Sequence, residues 1–206
     1  MIILDAGHGG IIDGKYVTCP NWNENEVSWN KMWVHDGVPF FEGVFNRLVV
    51  DEIATLLEEE NIPYTKLVGD EDVSLRKRVN MVNNIYKKDK SAILISVHGN
   101  AFNGIAKGFE VFTSKGVTRS DAYAEVLANV MELAFPTQAM RWCLTDGDKD
   151  KEANFYILKY TNCPAMLTEN GFFDNPEEAK FMMSDEGINR IAQAHVDAIK
   201  IIEDAR

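Results

Sequence analysis

Residues 91–100 read SAILISVHGN, a short apolar run that stops abruptly at His98-Gly99-Asn100. Residues 92–97 carry the length and β-branched character of a strand buried on both faces, as in the middle of an α/β sheet. His98 then falls at the strand's carboxyl end, where open α/β sheets place their ligands. The chain opens on the same design, with Ile2-Ile3-Leu4 running into Asp5-Ala6-Gly7-His8-Gly9-Gly10. A third version comes late, where Ala165-Met166-Leu167 runs into Thr168-Glu169-Asn170-Gly171. Three buried strands would thus deliver His8, His98 and Glu169 to one edge.

Between these strands the period changes to that of helices. Val44, Phe45, Leu48, Val49, Ile53, Leu56 and Leu57 recur at three- and four-residue steps, so residues 42–60 read as an amphipathic helix. Glu42 stands in its first turn, where a carboxylate is favoured by the macrodipole. Residues 63–68 and 109–113 read as strands. Residues 73–88 read as a helix with Leu75, Val79, Val82 and Ile85 inward, and Ser120 or Asp121 caps another that runs to residue 134. Residues 135–152 read as a polar loop, and 155–158 and 165–169 as short apolar segments. Asn175-Pro176-Glu177-Glu178 has the cap, first-turn proline and acids of a helix start. Residues 188–202 close the chain as a helix with Ile191, Ala192, His195, Ala198 and Ile199 on one face, which makes His195 a core residue. Alternating strands and helices predict an α/β fold: one three-layer domain over residues 1–206, with a mostly parallel twisted sheet of about six strands and helices on both faces.

Residues 11–38 interrupt this order. They show no sustained period and hold Trp22, Trp29 and Trp33, too many large aromatics for a bare connection. The segment reads as a structured insertion beside the site, carrying a hairpin. Its tryptophans either wall a substrate groove or form a local core. His35, within it, reads as a solvent-exposed loop residue that could also approach the site.

The whole-chain balance narrows the function. Of 206 residues, 32 are acidic and 21 basic, for a net charge of -11. That excludes phosphate-backbone recognition, and with it a nucleic-acid partner. No run approaches eighteen apolar residues, so no membrane span is expected. Cys19, Cys143 and Cys163 are odd in number and scattered, which suits reduced thiols rather than a disulfide framework. No charged and then apolar leader precedes the first strand, so the chain reads either as made without a secretory signal or as cut from a longer one. Two SxxK matches, at Ser28 and Ser74, lack their SDN and KTG partners and are discounted.

His8, Glu42, His98 and Glu169 can be gathered at one edge. Two imidazoles and one carboxylate leave a tetrahedral zinc with an open position for a water, and a further carboxylate would serve as general base. Spacing alone leaves open whether these residues bind metal or are structural. The motifs go further. Leu4-Asp5-Ala6-Gly7-His8-Gly9-Gly10, Glu42-Gly43-Val44-Phe45-Asn46, Val73-Ser74-Leu75-Arg76-Lys77-Arg78, Ser96-Val97-His98-Gly99-Asn100-Ala101 and residues 164–175 (PAMLTENGFFDN) resemble, in order, the motifs of the zinc-dependent N-acetylmuramoyl-L-alanine amidases of the Amidase_3 type. The resemblance implies Zn²⁺ on His8, Glu42 and His98, catalysis by Glu169, and hydrolysis of the amide between N-acetylmuramic acid and L-alanine in peptidoglycan. Ala6 stands where the family has Pro, Val68-Gly69-Asp70 replaces the usual Thr-Arg, and the 11–38 connection is longer. These departures bear on specificity rather than on chemistry. A peptidoglycan-binding module without activity and a zinc peptidase acting on another amide are the alternatives. A phage endolysin released at lysis fits a single catalytic domain that acts as a monomer on the cell wall, and so does a periplasmic or extracellular bacterial enzyme cut to its catalytic domain.

Overall fold

The computed structural model describes residues 1–21, 31–144 and 147–206. In chain order the elements are β1 (Ile2–Ala6), β2 (Ile11–Ile12), β3 (Lys15–Tyr16), β4 (Met32–His35), β5 (Val38–Phe41), α1 (Glu42–Glu59), β6 (Tyr64–Lys66), α2 (Leu75–Lys88), β7 (Ile93–Asn100), β8 (Phe109–Thr113), α3 (Arg119–Ala134), β9 (Lys151–Glu152), α4 (Tyr156–Lys159), β10 (Ala165–Phe172), α5 (Pro176–Met182) and α6 (Asp185–Asp204). Six strands form one sheet in the order β6-β1-β7-β10-β8-β9. The first four are mutually parallel, and β8 turns antiparallel against β10.

The near-continuous apolar strands have the reason expected of them, a helical layer on each side. Ile2, Leu4, Ile93, Ile95 and Val97 join one core with α1, α3 and α6, whereas Ile3, Leu94 and Leu167 join a second with Val79 and Val82 of α2 and Ile157 and Leu158 of α4. On α1 the inward stripe is Phe45, Val49, Ile53 and Leu57, all fully buried. At about 1.5–3 kcal/mol for each such side chain, packing outweighs the weak start of this helix, whose cap residue Phe41 offers no side-chain acceptor. The Lys31 carbonyl takes the Glu42 N–H instead, at 3.0 Å.

Several boundaries differ from the sequence reading. Leu48 is 39% exposed and Leu75 51% exposed, so neither points inward; Leu48 lies one residue round the helix from Val49, and Leu75 opens α2 above a cavity. The cap of α3 is Thr118, two residues early, in a capping box with Asp121. The 135–152 stretch is not all loop: Lys151–Glu152 pairs with Phe112 and Thr113 as an outer strand, where polar residues are at home because one side is left to solvent. The short apolar segment at 155–158 forms a helical turn, α4, with Phe155 at its cap position. Asn170-Gly171 does not stop β10, which continues to Phe172 through a register shift after Glu169.

The 11–38 insertion is structured where it is described. Two hairpins, β2–β3 and β4–β5, turn on Asp13-Gly14 and Asp36-Gly37, with φ of 50° and 73° and of 49° and 81°. Positive φ at both central residues is what a two-residue hairpin turn requires. Trp33 packs partly buried against the main core. Trp22 and Trp29 lie outside the described residues.

Candidate metal centre

Each candidate residue is presented by the end of an element. β1 ends at Ala6, and His8 follows two residues later in a left-handed backbone conformation, φ 60°. His98 lies near the end of β7, Glu169 is paired in register with it on β10, and Glu42 is the first residue of α1. The loop after β1 must pass very close to β7: a Cβ at Gly7 would lie 2.1 Å from the His98 ring, so only glycine fits there.

The side chains of His8, Glu42 and His98 converge. His8 Nε2 lies 3.1 Å and His98 Nδ1 3.0 Å from the same oxygen, Glu42 Oε1. One ligand-type atom from each residue falls within 4.8 Å of the other two, so the three could hold a metal ion. Burial alone would raise the Glu42 carboxyl, but the two imidazoles hold it well below the usual carboxylate range. Burial pushes His98 down against the pull of Glu42, which favours the neutral imidazole, the form that donates a lone pair to a metal. His8 Nε2 and Glu42 Oε2 are buried without a hydrogen-bond partner, an arrangement that an ion held by this donor set would relieve.

Glu169 belongs to a different environment from Glu42. Its Oε2 is buried and has no hydrogen-bond partner. Burial, and next the Glu42 charge, raise its carboxyl well above the usual range, while Lys31 pulls the other way. Two nearby carboxylates pushed apart in this fashion are the pattern expected when one is a ligand and the other an acid–base group.

The sequence reading left some groups of this site unassigned. Lys31 Nζ stands 3.5 Å from Glu42 Oε2. Tyr16 fixes the end of the insertion there: its hydroxyl donates to the Lys31 carbonyl at 2.9 Å and accepts from the Gly43 N–H at 3.1 Å. Beneath the site, Arg78 is buried and donates to Asp5 Oδ1 at 2.5 Å and to the Ala6 and His8 carbonyls at 2.6 and 2.7 Å. Ser96 Oγ donates to the other Asp5 oxygen at 2.7 Å. An aspartate three residues before His8, and an arginine ending VSLRKR on the inward side of a helix, were the available signals for this network. A cavity of about 270 Å³ adjoins His8 and His98, with Asp72, Val73, Leu75 and Ile157 in its wall. His35 neither joins the cluster nor faces solvent freely, because its Nε2 lies 2.8 Å from the Phe173 carbonyl and ties the β4–β5 hairpin to the segment after β10.

Comparison with known proteins places the chain in a family. The Amidase_3 profile, described as N-acetylmuramoyl-L-alanine amidase, matches residues 2–201. An uncharacterized cell wall amidase of Bacillus anthracis is 33% identical over 94% of this chain and 33% of its own length. The endolysin of Bacillus phage SPP1 is 27% identical over 97% of this chain and 64% of its own. The chain therefore spans between a third and two thirds of these relatives. Among solved structures, an N-acetylmuramoyl-L-alanine amidase from Clostridium difficile 630 superposes with a TM-score of 0.78 at 21% identity, covering 100% of this chain and 97% of that one, which shows a shared fold.

Proposed function

Because the chain belongs to the N-acetylmuramoyl-L-alanine amidase family, we propose that it is a zinc-dependent hydrolase. It would cut the amide between N-acetylmuramic acid and L-alanine in peptidoglycan, acting as one catalytic domain and as a monomer. The observation that carries this reading is the meeting of His8 Nε2 and His98 Nδ1 on Glu42 Oε1, beside a second carboxylate, Glu169, that is outside the ligand set. Bound Zn²⁺ supplies Lewis-acid polarisation of the scissile carbonyl and lowers the pKa of a water from 15.7 to roughly 7.

The chain's own residues do the rest. His8, Glu42 and His98 would hold the ion at the strand ends. Glu169 accepts the water's proton on its unpartnered Oε2 and returns it to the leaving amine nitrogen. Its raised proton affinity suits a group that must both take and give a proton. Cell-wall action is also in keeping with relatives named as a cell wall amidase and an endolysin.

Digestion of defined muropeptides followed by mass spectrometry tests the reading. Glycans ending in free lactyl groups, together with stems beginning at L-alanine, are expected. Stems cut internally would make the chain a zinc peptidase, and binding without product would make it a wall-binding module.

A further inference from the structure

We infer that Arg47 is a positioning residue for His8, and that through it the 68–70 segment sets the geometry of the metal site. His8 is a non-glycine residue with φ 60°, a conformation that persists only where the surroundings enforce it. Its carbonyl accepts two charge-assisted bonds, from Arg78 Nη2 at 2.7 Å and from Arg47 Nη2 at 2.9 Å. Arg78 continues into the Asp5–Ser96 network and is part of the core. Arg47 leads elsewhere.

Arg47 lies on α1, little more than a turn beyond Glu42, so one helix supplies one ligand and holds the backbone of another. Its Nη1 donates to the Gly43 carbonyl at 2.8 Å, inside the first turn of α1. Its Nε and Nη2 donate to the Gly69 carbonyl at 3.0 and 2.6 Å, and Nε also lies 3.3 Å from Asp70 Oδ1. The loop after β1 is held to the same segment independently, since the Gly10 N–H donates to the Asp70 carbonyl at 2.8 Å. Residues 68–70 are where this chain departs from the Thr-Arg usual in the family it resembles. Here their backbone is the anchor of a guanidinium fork that spans the His8 loop and the Glu42 helix. A planar guanidinium can reach three carbonyls at fixed angles, whereas an ammonium on a flexible stem cannot.

The inference rests on the reading of His8 as a zinc ligand, and the test separates the two. Zinc affinity is measured by chelator competition on wild type, His8→Ala, Arg47→Lys and Asp70→Ala, together with the melting temperature of each metal-free protein. Arg47→Lys keeps charge and length and loses the fork. It should weaken zinc about 10–100-fold, the usual consequence of removing a group that orients a ligand, while the metal-free protein stays folded. Asp70→Ala, at a side chain 62% exposed, should fold in any case and weaken zinc by a few-fold. A wild type that binds no zinc, or a His8→Ala protein that binds as well as wild type, overturns the site reading and the clamp with it. A wild type that binds, alongside unchanged affinity in whichever of the two clamp variants folds, overturns the clamp alone.

Discussion

His195, fully buried on the inward face of α6, has both ring nitrogens paired, Nε2 3.0 Å from Thr168 Oγ1 and Nδ1 2.8 Å from the Ile191 carbonyl oxygen. At the strand ends, His8 Nε2, Glu42 Oε2 and Glu169 Oε2 are buried with no hydrogen-bond partner. A buried polar atom without a hydrogen bond costs up to about 1–3 kcal/mol, a cost that a bound ion at the strand ends would relieve. The two regions use the same residue type in opposite ways. A satisfied buried histidine is structure. Unpartnered lone-pair atoms gathered at the strand ends suit a ligand instead, and the difference is visible in hydrogen bonding rather than in burial.

The largest expected effect lies on the unsatisfied side. Glu169→Gln keeps the size of the side chain and removes its ability to take a proton, so turnover on peptidoglycan should fall by about 10²–10⁴-fold with zinc content and fold retained. Glu42→Gln should instead weaken zinc binding, because an amide oxygen is a poorer ligand than a carboxylate. Steady-state rates and metal analysis on the two variants check both. Near-normal turnover in Glu169→Gln would remove the distinction between ligand and base.

The next effect belongs to the satisfied region and depends on pH. Burial lowers His195 to about 4, against 6.5 for an unburied histidine. Between these values the unfolded chain takes up a proton that the folded chain refuses. His195 therefore costs nothing above about pH 6.5 and subtracts up to about 3 kcal/mol as pH falls toward 4. Denaturant titrations of wild type and His195→Gln at pH 7.5 and 4.5 should show a smaller pH loss in the variant. Equal losses would mean that the imidazole is not held neutral.

The smallest effect concerns the insertion. Trp33 packs against the main core rather than standing free in a groove. Trp33→Ala should cost about 2 kcal/mol, below the range for a fully buried tryptophan, and leave KM unchanged. A raised KM in a fully stable variant would assign it to substrate instead.

The sheet, its helices and the four candidate residues were legible because apolar runs and three- to four-residue periods leave strong traces, and because His8, His98 and Glu169 each end such a run. What escaped was set by single backbone events. Asp13-Gly14 and Asp36-Gly37 are hairpin turn pairs, but the residues flanking them do not alternate, so the hairpins themselves went unplaced. β9 is a two-residue outer strand whose Lys151 and Glu152 look like loop. β10 runs through Asn170-Gly171 because a register shift absorbs the turn pair. Arg47, Lys31 and Tyr16 were invisible as site residues because they act through carbonyls and a carboxylate that only the folded chain brings near. The polar face of α1 gives no sign that one arginine on it reaches Gly7-His8.

Zinc content per folded chain, measured by elemental analysis on wild type, His98→Ala and His195→Gln, tests the contrast most directly. One zinc per chain is expected in wild type and in His195→Gln, and none in His98→Ala. Zinc retained by His98→Ala, or lost from His195→Gln, would contradict the assignment of these two histidines to ligand and core.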